Sequence, residues 1–114
     1  MKVFLDANVL VAVLNKEYPV FTYSSRVLSL AEIPKYKFYT SPICLAIAYY
    51  FAEKKCSNEQ ARRKIDLLVS KLQVTTVNDI TVKDTCANKK IHDFEDGLQY
   101  YSAIHSGCKC IVTE

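Results

Sequence analysis

The apolar residues at the start of the chain follow two different rhythms. Val3, Phe4 and Leu5 stand in an unbroken run, which suits a short strand covered on both faces, as in a parallel sheet. Val9, Leu10, Val13 and Leu14 then recur at helical spacing, and the polar turn Asp6-Ala7-Asn8 separates the two patterns. After Tyr18-Pro19, a second helical face is expected from Val20, Tyr23, Ser24, Val27, Leu28, Leu30 and Ala31, ending near Pro34. Lys37 to Thr40 reads as a short strand. Ser41-Pro42 then supplies an N-cap followed by proline at the first helical position. The helix that it opens, Ile43 to Lys54, is apolar nearly all round, so its expected place is the centre of the core.

The second half repeats the alternation. Ser57-Asn58-Glu59-Gln60 is a capping-box pattern. It opens a helix with Ala61, Ile65, Leu68 and Leu72 on one face and Arg62, Arg63 and Lys64 mostly off it. Gln73 to Val77 has strong strand propensity. A weaker helix is expected from Asn78 to about Lys89, starting with Asp79 or Thr81. Asp93 caps a helix to about Ser106, Gly107 ends it, and Lys109 to Thr113 forms the last strand around Ile111 and Val112. Strands alternating with helices predict an α/β domain with a mostly parallel sheet. Ligands of such sheets sit in the crevice outside the carboxyl ends of the strands. Asp6 stands at one such end, and Thr113 and Glu114 at another.

Composition narrows this picture little. The 114 residues, half of them hydrophobic and 24% charged, with only two Gly and three Pro, fit one domain over residues 1–114. No terminal segment reads as a signal peptide and no apolar run approaches the ~20 residues of a membrane span. The expectation is a cytoplasmic protein with no membrane association. Five Cys in a chain without an export signal are expected to be reduced. Cys108-Lys109-Cys110 lacks the spacing and the second pair of a zinc site and reads as two small buried apolar side chains. The net charge of +3 permits nucleic-acid binding without arguing for it. Lys54-Lys55, Arg62-Arg63-Lys64 and Lys89-Lys90 could each contact phosphate, but each alone reads as a solvated helix end or face.

The candidate chemistry lies in two acidic segments far apart in sequence. One is Asp6, delivered at the exit of a buried strand. The other is Asp93-Phe94-Glu95-Asp96, with two Asp three residues apart at a helix start. A fold that joins them gathers three carboxylates, the raw material of a divalent-metal site for phosphodiester hydrolysis. Plainer roles exist for each. Asp6 could accept backbone N–H bonds from its own turn, Asp93 could be only an N-cap, Asp96 could complement the helix dipole, and Asn8 could be a cap. Glu95 reads as solvent-facing. His92 and His105 fit no pattern, and Ser102 has no nucleophile-elbow context. Tyr49-Tyr50-Phe51 and Tyr100-Tyr101 could stack on bases, but at apolar helix positions they read as core or interface.

Val3-Phe4-Leu5-Asp6-Ala7-Asn8-Val9-Leu10 resembles the opening of PIN domains. Asp93-Phe94-Glu95-Asp96-Gly97-Leu98-Gln99-Tyr100-Tyr101-Ser102-Ala103 resembles their acidic helix start, and Gly107 through Ile111-Val112-Thr113 the strand that follows. The similarity is greatest to the VapC-like branch, the toxin components of bacterial toxin–antitoxin pairs. It implies a PIN-like three-layer sandwich, a mostly parallel central sheet flanked by helices. It also implies Mg²⁺- or Mn²⁺-dependent cleavage of RNA and an antitoxin protein as partner. By motif position Asp6, Asp93 and Asp96 would be the catalytic, metal-site carboxylates. Asn8 would support them by orienting Asp6 or a metal-bound water, and Thr113 would line the site. Many PIN domains also carry a Glu on the helix after the second strand, where Ser41 to Tyr50 has no carboxylate. The family pattern continues past the Thr into a further short strand, whereas this sequence stops at Glu114. The last strand is therefore expected to be lacking, leaving an open sheet edge beside Ile111 and Val112 that a homodimer would cover. Three functional readings stand: a toxin-type endoribonuclease, a catalytically silent domain that binds an antitoxin or itself, and a salt-sensitive nucleic-acid-binding module.

Overall fold

Four short parallel strands carry the fold in the computed structural model, which describes residues 1–15, 29 and 33–113. Strand β1 (Lys2–Leu5) leads into helix α1 (Ala7–Asn15). Strand β2 (Lys37–Thr40) is followed by α2 (Pro42–Lys55) and α3 (Asn58–Val69). Strand β3 (Gln73–Val74), α4 (Asp79–Ala87), α5 (Phe94–His105) and β4 (Cys110–Val112) complete the order. The expected helical face of Val20 to Ala31 lies outside the described residues.

The strands lie side by side as β3-β2-β1-β4. Val3 pairs with Phe38 on one side and Cys110 on the other, and Leu5 with Val112. Phe4 and Leu5 are wholly buried. This explains the unbroken apolar run, since a central parallel strand has no wet face. The chain builds outward from β1 through β2 to β3, then crosses back to place β4 on the opposite side of β1. The order therefore reverses between β1 and β4, and the crevice beyond their carboxyl ends is a topological switch point.

The core does not form around α2 in the expected way. This helix buries only Cys44, Ala48 and Ala52, a stripe at four-residue spacing, while Tyr50 and Phe51 are exposed. Small side chains on that stripe let α2 lie close against α1, whose Val9, Leu10, Val11, Ala12 and Leu14 are buried. The aromatic rings are too large for that seam. They stand outside it edge to face, 5.4 Å apart, with the Lys54 ammonium 4.3 Å above the Tyr50 ring.

Strand β3 is shorter than expected. Thr75 N–H still donates to Thr40 O at 2.8 Å, but the chain then turns to α5. There the Thr75 hydroxyl lies 2.6 Å from that of Ser102, and Ser102 Oγ donates to Thr76 O at 2.9 Å. Side-chain bonds thus replace the ladder that the propensity of residues 73–77 anticipates. All five cysteines are free thiols, as expected. Cys108 is half-buried and Cys110 exposed, because β4 is an edge strand, so the pair is not buried as expected. Among the described residues no helix is long and apolar enough to cross a membrane.

Candidate functional site

Asp6 is held by both neighbours of its strand end. Its N–H donates to Val112 O at 3.0 Å, continuing the β1–β4 ladder by one bond. Its carbonyl accepts from Val9 at 3.1 Å and Leu10 at 3.4 Å, starting α1. The carboxylate is fixed at both oxygens: Oδ1 accepts from Ala7 N–H at 2.7 Å and Oδ2 from the Thr113 hydroxyl at 2.9 Å. Residues 107 positions apart in sequence thus share one hydrogen bond. The Cys44 thiol lies 4.0 Å from Oδ1, and burial pushes its pKa up. Asn8 is exposed in the first turn of α1; the groups that orient Asp6 are Ala7 N–H and Thr113.

The second acidic segment opens α5. Asp93 Oδ1 accepts from Glu95 N–H at 2.9 Å and Asp96 N–H at 3.3 Å, so the plain capping role is filled. Oδ2 has no protein donor among the described residues. The first turn of α5 sits tight on α4: a Cβ on Gly97 would fall 2.5 Å from Thr85 Cγ2 and 2.9 Å from Ile91 Cγ2. At the other end Gly107, at φ +80°, closes a Schellman motif. Its N–H donates to Ile104 O at 2.9 Å and Cys108 N–H to Ala103 O at 3.0 Å, which turns the chain straight into β4.

Between the two segments lies a cleft of about 220 Å³ lined by Asp6, Asp96, Gln99, Tyr100, Ile111 and Thr113. Asp6, Asp96 and Thr113 therefore meet at the switch point, while Asp93 sits one step back at the helix cap. The Asp96 carboxyl is raised above the usual range, first by desolvation and then by the charges of Asp93 and Asp6. Glu95, expected to face solvent, is exposed yet belongs to the same field. Its carboxyl is raised by desolvation and then by Asp93, Asp96 and Asp6, and it closes one side of a groove along Pro42, Ile43, Ala46, Ile47, Tyr50 and Phe51 of α2. Gln99, with no role in the sequence reading, lies buried on the cleft wall. Its signal was a polar residue on the inward face of α5, three positions after Asp96.

A sequence model of the PIN domain matches residues 2–114. The chain belongs to the PIN domain family. Among its relatives is ribonuclease VapC1 of Aquifex aeolicus, 28% identical over 116 aligned positions that cover 98% of this chain and 80% of that protein. Two solved structures share the fold. VapBC2 from Rickettsia felis, bound to a DNA fragment from its promoter, superimposes with a TM-score of 0.74 at 21% identity, over 100% of this chain and 88% of that one. Mycobacterium tuberculosis VapC20, a sarcin-ricin loop cleaving toxin, gives 0.74 at 15% identity, over 96% and 86%.

In this PIN domain, no group of three or more His, Cys, Asp or Glu among the described residues is drawn tightly enough to form a ready-made metal cage. The donor set nevertheless suits a hard cation. Mg²⁺ takes oxygen ligands, keeps several waters and needs only one or two carboxylates. The cleft offers Asp6 and Asp96 with a Thr hydroxyl, and the repulsion from Asp93 and Asp6 that adds to desolvation in raising Asp96 is what a cation would relieve.

Proposed function

We propose that this PIN domain is a cytoplasmic endoribonuclease dependent on Mg²⁺ or Mn²⁺, the toxin component of a toxin–antitoxin pair. The observation that carries this reading is the meeting of Asp6, Asp96 and Thr113 in one cleft at the switch point between β1 and β4. Asp6 and Asp96, with Asp93 behind them, would hold the cation. When bound, such an ion lowers the pKa of water and stabilises charge on the phosphoryl and leaving oxygens.

The chain's own residues supply placement. Thr113 and Ala7 N–H lock the Asp6 carboxylate, so its position costs no reordering when the site fills. Asp93 Oδ1 secures the first turn of α5 and with it the position of Asp96. The close seat of Gly97 on α4 fixes that turn against the rest of the molecule. Purified protein should cut single-stranded or structured RNA in Mg²⁺ or Mn²⁺, and Asp6→Asn should abolish cutting. Equal cutting by Asp6→Asn would place the activity elsewhere.

A second reading, a silent domain that keeps the fold and a binding surface, draws on the absence of a ready-made three-acid cage among the described residues. Calorimetric titration separates the two. No heat of binding up to millimolar Mn²⁺ favours the silent domain. The relationship to VapBC2 supports an antitoxin as partner. Among the described residues β4 is an edge strand, with Ile111 39% exposed, which supports a homodimer that covers it. Light scattering that finds only monomer at high concentration would remove the dimer.

A further inference from the structure

One side chain on the cleft wall has half of its hydrogen-bonding capacity unused. Gln99 is 6% exposed and lines the cleft with Asp6, Asp96 and Thr113. Its Oε1 accepts from Ser41 Oγ. Ser41 is itself fully buried as the N-cap of α2, where Oγ accepts from Cys44 N–H at 3.0 Å. A serine hydroxyl has one proton to give. With Cys44 as donor to Ser41, that proton is left for Gln99 Oε1, and this pairing turns Nε2 away from Ser41. The other half of the amide, Nε2, is buried with no partner among the described residues. Buried donors are paired in the great majority of cases, and the cleft that Gln99 lines is where an entering group comes beside this side chain.

The chemistry of the walls says what that group is. Asp6 and Asp96 bring negative charge and accept hydrogen bonds, and the hydroxyls of Thr113 and Tyr100 belong to exposed residues. Gln99 is the one buried neutral donor. A lysine there would pair with the carboxylates and compete with a cation for them. An amide gives a directed N–H without a charge and without titrating. We propose that the Gln99 amide, aimed by Ser41, donates to a non-bridging oxygen of the RNA phosphodiester and so sets the position of the backbone in the cleft. This rests on the ribonuclease reading above.

The test compares wild type with Gln99→Met, which keeps the length of the side chain and removes the amide. Gln99→Glu, which keeps the shape and replaces the donor with an acceptor, serves as the second variant should the first fail to fold. Cleavage of a single-stranded RNA oligonucleotide in Mn²⁺ should fall roughly 10²-fold in kcat/KM for either variant. Calorimetric Mn²⁺ affinity of Gln99→Met should stay at the wild-type value; its Tm should fall, because the buried Ser41 hydroxyl loses its acceptor, so cleavage is compared at a temperature where both proteins are folded. A residue that only shapes the site would weaken Mn²⁺ binding together with activity. Cleavage by Gln99→Met at the wild-type rate, or a loss of activity matched by an equal loss of Mn²⁺ affinity, would overturn the assignment. Failure of the wild type itself to cut any RNA would overturn the ribonuclease reading, an outcome separate from any difference between variants.

Discussion

At the start of α3, Ser57 Oγ accepts from Gln60 N–H at 3.2 Å, and Glu59 meets Arg63 one turn on at 2.7 Å. The start of α4 repeats the arrangement. Asn78 and Thr81 form a reciprocal capping box, and Asp79 lies 3.7 Å from Lys83. At the start of α5 the cap is again sound, but the acids are Asp93, Glu95 and Asp96, and one turn on stand Gly97, Gln99 and Tyr100. Among the described residues no Lys or Arg pairs with them. All three helix starts gain from acids near the positive end of the helix dipole, but only the first two balance those acids within the helix. At α5 the charge is left over, and it faces the exit of β1, where Asp6 adds to it. Cap and dipole account for α3 and α4 in full; they leave the excess at α5 unexplained, and an external cation would explain it.

Asp6→Asn is the largest test of this contrast. It leaves every hydrogen bond at the start of α5 in place and removes the carboxylate that links the two segments. RNA cleavage should fall by roughly 10³-fold or more, the scale of several kcal/mol of charge stabilisation. Next comes Asp93→Ser. Serine caps a helix about as well as aspartate, so Tm should hardly move. Cleavage and calorimetric Mn²⁺ affinity should fall roughly 10- to 100-fold, the scale seen for groups that support metal ligands. Full activity in Asp93→Ser would reduce Asp93 to a cap and make α5 resemble its neighbours. Ser57→Ala is the counterpart on the ordinary side. Loss of the cap should cost about 1 kcal/mol and lower Tm by about 4–8 °C, with cleavage unchanged at temperatures where the protein stays folded.

Much of this was readable from spacing. Asp6 after an apolar run, Asp93 as a cap and Gly107 as a helix stop depend on neighbours within a few residues, and local rules reach that far. Thr113 was placed at a strand exit by the alternation of elements and given a site role by family resemblance; in the structure its hydroxyl donates to Asp6. The misreadings depended on partners distant in sequence. The aromatic ring sizes of α2 decide its burial only against the α1 surface. The turn after Val74 follows from hydroxyl bonds to Ser102 on α5. Glu95 and Gln99 gain meaning only once α5 lies beside β1 and the start of α2, which no window along the chain can show.

The smallest expected effect is also the one whose sign is hardest to guess without the contrast. Removing an acid from a helix N-terminus normally weakens a helix. At α5 the balance differs, because desolvation and neighbouring charges hold the carboxyls of Asp96 and Glu95 above their usual range. The folded state thus binds those protons more tightly than the unfolded chain. The stability this gives is complete below the unfolded carboxylate range, about pH 4, and is lost as pH rises through the raised folded values. At pH 7, without metal, the ionised acids repel one another with nothing gained. Asp96→Asn in EDTA should therefore raise Tm, by no more than about 2 °C for an exposed position, and the advantage should vanish as the pH is lowered to about 4. Millimolar Mn²⁺ should reverse the ranking, since a ligand stabilises the form that binds it in proportion to RT ln(1 + [L]/Kd). A lower Tm for Asp96→Asn in EDTA at pH 7 would mean that the acids of α5 are already balanced, and the distinction from α3 and α4 would collapse.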